Sequence, residues 1–450
     1  MTTELRVLID DSEIGTIARN RNGKLQFVYD DNWRSSPDAI PLSLSMPMTA
    51  AEHGDSSVSA YLWGLLPDSE TTLERIGKTY GVSPRNAFAL LANIGEDLQG
   101  AVQIVPAEKI SELKHREGVT FLSQTVLAER FAELMRDPGA TRFTEDGGKF
   151  SLAGAQRKMT LYRVNQRWGV PRGRTPSTHI LKPSIQGFAG QAENEMFCLR
   201  LAPRLGLPAP PCWIEQFGDV RVIVIQRYDR QRFRGKNRVN LTDSGGDVHR
   251  VHQEDMCQAL KVLPTNKYQR EGGPGIPPIM DLLSGSSEPS TDRDRFMRAC
   301  AYNYVIGATD AHAKNYSVLL TNGGRYRLAP LYDVASWLPY SKGHNDRKLA
   351  MSVDGHYDYD TIQPRYWDST ARKVGFDSSR MLAHIRDILA RIAVRASELL
   401  EICRGEGVAD ADLANLVKVL IERAGKLRLV YGLEEMNKPH GQLEFPLEKN

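Results

Sequence analysis

The chain has 450 residues, with 58 Lys and Arg against 55 Asp and Glu, 41% hydrophobic residues and 25% charged. That length suits two or three domains, or one two-lobed enzyme with an extra subdomain, and a sizeable core can be buried. A net charge of +3 gives no argument for nucleic acid as a direct, chain-wide partner, and five cysteines, an odd number with no C-x-x-C pair, argue against a disulfide framework or structural zinc. The acidic start, and the lack of a run of about 18 apolar residues, argue against a signal peptide and a membrane span. A cytoplasmic chain with no membrane partner is expected.

Residues 5–9 and 13–18 read as short strands. Asn22-Gly23 marks a hairpin turn before the alternating Leu25, Phe27 and Tyr29. From Val58 to Ile94 the apolar residues take helical spacing with glycine breaks. Residues 1–110 are therefore expected to form a small α+β unit. Residues 111–148 are charged and mostly helical in pattern, and are predicted to link that unit to the next. Over 149–228 the runs KFSLAGAQRKMTLYRV, STHILKPS and RVIVIQRYD read as strands, with one helix, AENEMFCLRLAPRLG, between the second and third. Residues 229–450 turn helical and loop-rich; the stretch 264–290, which holds GGPG and SGSSEPS, is expected as an irregular surface loop. Two amphipathic helices close the chain, marked by Leu382, Ile385, Leu389 and Ile392 and by Leu413, Leu416, Val417 and Leu420, and their stripes read as core. A β-rich part followed by an α-rich part, with a junction near Arg227, suits nucleotide binding between two lobes.

The stretch YNYVIGATDAHAKNYSVLLTNGGRYRLAPLYDVAS is the informative one. An apolar helical run ends at Gly307, and Asp310, His312, Lys314 and Asn315 follow. A strand over 316–320, an Asn-Gly-Gly turn and a second strand then lead to Tyr332-Asp333. Phosphoryl transfer asks a protein mainly to position groups and balance charge. One carboxylate must accept or orient the attacking hydroxyl; an amide oxygen and a second carboxylate must hold Mg2+, which prefers hard oxygen ligands. Asp310 and Asn315 have the spacing of the protein-kinase catalytic loop HRDxxxxN, and Asp333 falls after a hairpin, where the metal-binding Asp of DFG falls. The predicted roles are Asp310 as base and Asn315 and Asp333 as Mg2+ ligands. Lys314 is expected near the γ-phosphate, and His312 reads as a loop residue rather than a second base.

Upstream, Lys182 ends the strand THILK, in the position of a lysine that pairs with the α- and β-phosphates. Glu193 or Glu195 on the next helix is expected to orient it, since a buried lysine without a partner is costly. The small residues of GGKFSLAGAQRK let backbone N–H groups approach a phosphate. Ser151 within that run is a candidate phosphosite as well as a loop hydroxyl. Gln226, Arg227 and Tyr228 end a strand at the lobe junction, where backbone groups are placed to read adenine.

Together these segments resemble the HipA family of bacterial serine/threonine kinase toxins, nearly end to end. PLSLSMP, LLPDS and IGEDLQGAV look like its N-terminal subdomain and FSLAGAQRK like its phosphate-binding loop. THILKPS, ENE, RYDR, QEDMCQAL, KYQREGGPGI, IGATDAHAKNYSV and LYDVAS follow in the family order. The resemblance implies an α+β, two-lobed protein-kinase-like fold (PI3/4-kinase-like) with an extra N-terminal α+β subdomain and an all-α C-lobe. It implies an ATP- and Mg2+-dependent protein kinase acting as the toxin of a toxin–antitoxin pair, with Asp310 as base and Asn315 and Asp333 on Mg2+. The ATP site would be lined by Ala153, Gly154, Ala155, Gln156, Arg157, Lys158 and Lys182, by Gln226, Arg227 and Tyr228, and by His312, Ala313, Lys314, Asn315, Tyr332 and Asp333. Ser151 matches the serine that the family autophosphorylates; a dianion in a phosphate loop competes with ATP. Gln226 and Arg157 depart from the family, which has acidic residues there. The implied partners are a small dimeric helix-turn-helix antitoxin, HipB, and operator DNA, mainly through that antitoxin. The implied substrate is a translation factor, an aminoacyl-tRNA synthetase such as glutamate–tRNA ligase. Two other readings stay open: a small-molecule kinase of related fold, and a non-catalytic corepressor.

Overall fold

The computed structural model describes residues 3–10, 12–115, 117–136, 153–154, 156–185, 187–242, 246–341 and 343–433. Ser151 and Ala155 of the expected phosphate loop lie outside the described residues. The chain begins with an antiparallel sheet of β1 (Glu4–Ile9), β2 (Ser12–Arg19), β3 (Leu25–Tyr29), β4 (Glu52–His53) and β5 (Val102–Val105), in the order β4-β3-β2-β1-β5. The strand period of two decides what each residue of β1 touches. Leu5, Val7 and Ile9 join the core under the helices; Leu8 meets Val105 and Leu113 on the opposite face. One-turn α1 (Asp31–Arg34) is followed by α2 (Asp55–Gly64), α3 (Glu70–Tyr80) and α4 (Ala87–Ile94). Ser69 and Asn86 cap α3 and α4 by accepting from the N–H groups of Thr72 and Ala89.

After α5 (Lys109–His115), a second antiparallel sheet contains β6 (Glu117–Phe121), β7 (Met159–Val164), β8 (Arg167–Gly173), β9 (His179–Pro183), β10 (Cys212–Phe217) and β11 (Val220–Gln226), in the order β10-β11-β9-β7-β8-β6. Helix α6 (Gln124–Arg136) covers one face and α7 (Gln191–Arg204) the other. The alternation along β11 shows the two faces directly: Val222 and Val224 pack with Leu127 and Phe131 of α6, Ile223 and Ile225 with the core that holds Phe197 of α7. The segment 111–148, expected as a helical link, belongs partly to this lobe, because β6 pairs with β8 and α6 supplies core.

The C-terminal lobe is built on α10 (Pro289–Ile306), packed among one-turn α8 (Met256–Ala259), α9 (Ile276–Ser284), α11 (Pro364–Lys373), α12 (Ser378–Gly405) and α13 (Ala411–Val430). The two terminal stripes read from the sequence are core: Ile385, Leu389, Ile392, Leu413, Leu416, Val417 and Leu420 are buried, and Leu382 is partly buried against them. The lobe is not all-α, however. Among the described residues it carries three small antiparallel sheets: β12 (Arg230–Arg234) with β13 (Asn237–Val239) and β14 (Asp247–Arg250); β15 (Gln253–Asp255) with β16 (Ser317–Leu320) and β17 (Tyr326–Leu328); and β18 (Lys348–Val353) with β19 (His356–Asp358). Strands β16 and β17 are the two expected before Asp333; the others are too short for a periodic pattern to stand out from loop sequence. The stretch 264–290, expected as an irregular surface loop, instead holds α9, whose Ile276, Ile279, Met280 and Leu283 are buried in the core. The five cysteines are buried and free. Among the described residues no helix is long and apolar enough to cross a membrane.

A polar seam joins the N-terminal unit to the rest. Asp97 lies within 3.2 Å of Arg230, 3.6 Å of Arg250 and 3.8 Å of Arg227. Asp229 accepts from the Gly100 N–H at 2.8 Å and pairs with Arg227 at 2.8 Å. Glu254 accepts from Ser43 Oγ at 2.5 Å and from the Leu44 N–H at 2.7 Å.

Candidate active site

A cavity of about 810 Å3 opens between the second sheet and the loops of the C-terminal lobe. Strand β9 brings Lys182 to it. The Lys182 ammonium donates to Glu195 Oε1 and to Asp333 Oδ1, both at 2.7 Å. Of the two candidate glutamates the helix chooses Glu195: residues two apart on a helix point in nearly opposite directions. Glu193 instead pairs with Arg221 at 3.1 Å. Burial works against the charged form of both partners. For Lys182 it is outweighed by Asp333 and Glu195, so its pKa rises; for Asp333 it is outweighed by Lys182 and Lys158, so its carboxyl is held far below the usual range.

Helix α10 stops at Gly307, which takes φ +64; a Cβ there would lie 2.7 Å from Leu338 Cδ2, so a side chain would be strained and would push Leu338 aside. The chain then turns back through a 3-10 turn over Ala313–Asn315. Asn315 Nδ2 donates to the carbonyls of Asp310, at 2.8 Å, and Asp333, at 3.4 Å. One amide therefore ties together the two segments that carry the candidate base and the candidate metal ligand. Asp333 has φ +55, a left-handed conformation that non-glycine residues adopt at a cost and that recurs at functional sites. Asn315 and Asp333 offer an amide oxygen and a carboxylate, both hard donors. Among the described residues no group of three or more His, Cys, Asp or Glu is placed to hold a metal. A sparse oxygen set of this kind fits Mg2+, which leaves most of its octahedral shell to water and phosphate.

Of the predicted site residues that are described, Ala153, Gly154, Gln156, Arg157, Lys158, Lys182, Gln226, Arg227, Tyr228, Asp310, His312, Lys314, Asn315, Tyr332 and Asp333 all line this cavity. Ala313 does not; it is fully buried beneath the loop. The Arg227 side chain is a clamp for the N-terminal unit, donating to Asp229, to Ser177 Oγ and to the Leu98 carbonyl. Gln226 and Arg227 have also committed their N–H groups, to the Pro211 carbonyl at 2.9 Å and the Thr178 carbonyl at 3.0 Å. Arg157 donates to the Met135 carbonyl at 2.6 Å, at the end of α6. Lys158 folds over the loop and donates to the Ala153 carbonyl at 2.5 Å. Gly154, at φ +103, makes room for it; a Cβ there would lie 2.5 Å from Lys158 Nζ. Burial, with Lys182 adding to it, brings the Lys158 ammonium down to about 8. Burial likewise lowers the pKa of His312, only partly opposed by Asp310.

Three polar residues at the cavity or beside it were assigned no role from the sequence. Tyr268 donates its hydroxyl to Asp310 Oδ1 and packs edge-on against the His312 ring, 4.9 Å between centroids. Asp68, on the N-terminal unit, accepts from Lys314 at 2.6 Å and from Lys267 at 2.7 Å. They lie in the segments LLPDS and KYQREGGPGI, which the sequence marks by their resemblance to the family and by a helical and a loop texture, without a role for these side chains. An acid just before a helix start reads as a capping residue, which hides its reach to another lobe.

The model of the HipA-like C-terminal domain matches residues 150–396 and that of the HipA N-terminal domain residues 5–105. The chain is 32% identical over 429 residues to a putative kinase of Sinorhizobium fredii, covering 94% of this chain and 98% of the relative. This chain belongs to the HipA family. It is 27% identical over 415 residues to the serine/threonine-protein kinase toxin HipA of Shewanella oneidensis, covering 89% of this chain and 90% of that one. HipA from the Shewanella oneidensis complex of HipA, HipB and operator DNA shares the fold, with a TM-score of 0.79 at 24% identity over 96% of this chain and 100% of that one.

Proposed function

We propose that this chain is an ATP-dependent serine/threonine protein kinase and the toxin of a toxin–antitoxin pair. The observation that carries the reading is the convergence of Lys182, Asp333, Asn315 and Asp310, drawn from both lobes, on one cavity. Asp310 would take or orient the proton of the attacking hydroxyl. Asn315 and Asp333 would hold Mg2+, which neutralises charge on the phosphates when bound. Lys182 would hand one of its two carboxylate contacts to the α- and β-phosphates. With the Gln226 and Arg227 N–H groups already engaged, the Tyr228 N–H is the group assigned to adenine. The HipB partner, operator DNA bound through it, corepression, an aminoacyl-tRNA synthetase substrate such as glutamate–tRNA ligase, and self-inactivation at Ser151 belong to the same proposal, on the strength of the family. A cytoplasmic setting goes with them.

The test is to incubate the full chain with Mg2+ and labelled ATP, alone and with cell lysate, beside Asp310→Gln. Label on Ser151 and on a lysate protein, both lost in the variant, supports the reading. Label confined to small molecules, or none from either protein with DNA binding only in the presence of antitoxin, sinks it.

A further inference from the structure

We infer that Asp68, carried by the N-terminal unit, is a positioning residue of the phosphoryl-transfer centre. It holds Lys314 and Lys267 together and so fixes the two loops that flank Asp310. The inference rests on the kinase reading above and makes the N-terminal unit a working part of the active site.

Each Asp68 oxygen serves one lysine. Oδ1 accepts from Lys314 Nζ at 2.6 Å and Oδ2 from Lys267 Nζ at 2.7 Å, with the Asp68 side chain only 11% exposed. Burial alone would raise the acid, but Lys314 and Lys267 outweigh it and hold it at about 2. Charge-assisted contacts of this kind are the strong ones. The two lysines sit on the segments that matter. Lys314 lies between Asp310 and Asn315 in the loop, and Lys267 is joined to Tyr268, whose hydroxyl donates to Asp310. The Lys267 carbonyl also accepts from the Ala313 N–H at 3.4 Å. Without the carboxylate two ammonium groups would face each other, one of them, Lys314, only 4% exposed; like charges in a dry site repel, and the loops would separate.

The same residue reaches the phosphate loop through its backbone. The Asp68 N–H donates to the Gly154 carbonyl at 3.2 Å, and Pro67 bridges to Gly154. One residue of the N-terminal unit thus seats a loop from each lobe.

The experiment uses the full chain with Asp68→Asn, Asp68→Glu, Lys314→Met and the Asp68→Asn/Lys314→Met pair, each shown by its melting transition to be folded at the assay temperature. The rate of self-phosphorylation at saturating ATP should fall ~10- to 100-fold in Asp68→Asn, the scale of a misplaced catalytic group. The half-saturating ATP concentration should move less than about threefold, the signature of an interaction acting on the transition state. Asp68→Glu should recover part of the rate. The double variant should be no slower than the slower single one, because the two residues act as one unit. In nucleotide-free protein, hydrogen exchange should quicken in Asp68→Asn at residues 264–272 and 310–316 and stay unchanged in β1–β3. Wild-type rate and exchange in Asp68→Asn, or multiplicative losses in the double variant, would overturn the inference. A wild-type chain that transfers no phosphate would sink the kinase reading instead, while the exchange comparison would still decide whether Asp68 fixes the loops.

Discussion

Two ion clusters line the same cavity with opposite arithmetic. At one, the Lys182 cation lies between two carboxylates, Glu195 and Asp333. At the other, the Asp68 carboxylate lies between two cations, Lys314 and Lys267. The first is net negative, a surrounding that favours a divalent cation; the second is net positive, one that favours a phosphate. The first cluster is internal to the two lobes. The second needs the N-terminal unit, so the positive side of the cleft depends on how that unit docks.

The comparison can be broken or sharpened by substitution. The largest effect is expected at the negative cluster: Asp333→Asn should lower the phosphorylation rate ~1000-fold, because it removes a charged group acting on the transferred phosphate. Steady-state rates with the protein shown to be folded would check it, and a loss under about tenfold would mean that Asp333 is not a metal ligand. Next, Lys182→Met should destabilise the chain by about 3 kcal/mol, since Glu195 is left as an uncompensated buried anion; denaturant unfolding measures this. Lys314→Met should cost only about 1 kcal/mol, because Asp68 keeps Lys267. Equal losses at the two lysines would erase the asymmetry between the clusters.

The smallest effect is expected at Lys158, whose ammonium is brought down to about 8. Its native charge is lost as pH rises through that value, whereas the unfolded lysine stays charged to ~10.4. The half-saturating ATP concentration should therefore rise between about pH 7 and 9, by less than about tenfold, and Lys158→Gln should flatten the profile. Over the window from about 8 to ~10.4 the unfolded chain binds the extra proton, so Lys158 makes stability rise with pH. A profile unchanged by Lys158→Gln would remove that lysine from the site.

How legible each cluster is follows from where its residues lie in the chain. Asp310, Asn315 and Asp333 sit within one stretch of sequence, at spacings that phosphotransfer chemistry makes recognisable. Lys182 could be read from the end of an apolar strand, and its partner narrowed to two glutamates on one helix. Asp68 and Lys314 are 246 residues apart, and no local period connects them. Arg227 was legible as a junction residue, but its guanidinium is committed to Asp229 and the Leu98 carbonyl, partners the sequence does not reveal. Of the short strands in the C-terminal lobe, β16 and β17 were legible from the sequence, while the others, three to six residues long, carry too few alternations to show a period.

By itself the sequence determined the strand and helix periods, the order of a β-rich part and an α-rich part, and the set of residue types able to hold a nucleotide and a hard cation. Those are local properties, set by side-chain spacing and by chemistry that each residue carries alone. Only the tertiary structure decided between Glu193 and Glu195, made the Arg227 side chain a clamp for the N-terminal unit, and brought Asp68 onto Lys314. Each of these depends on direction in space and on a partner far along the chain, and burial then sets the charge that each group keeps.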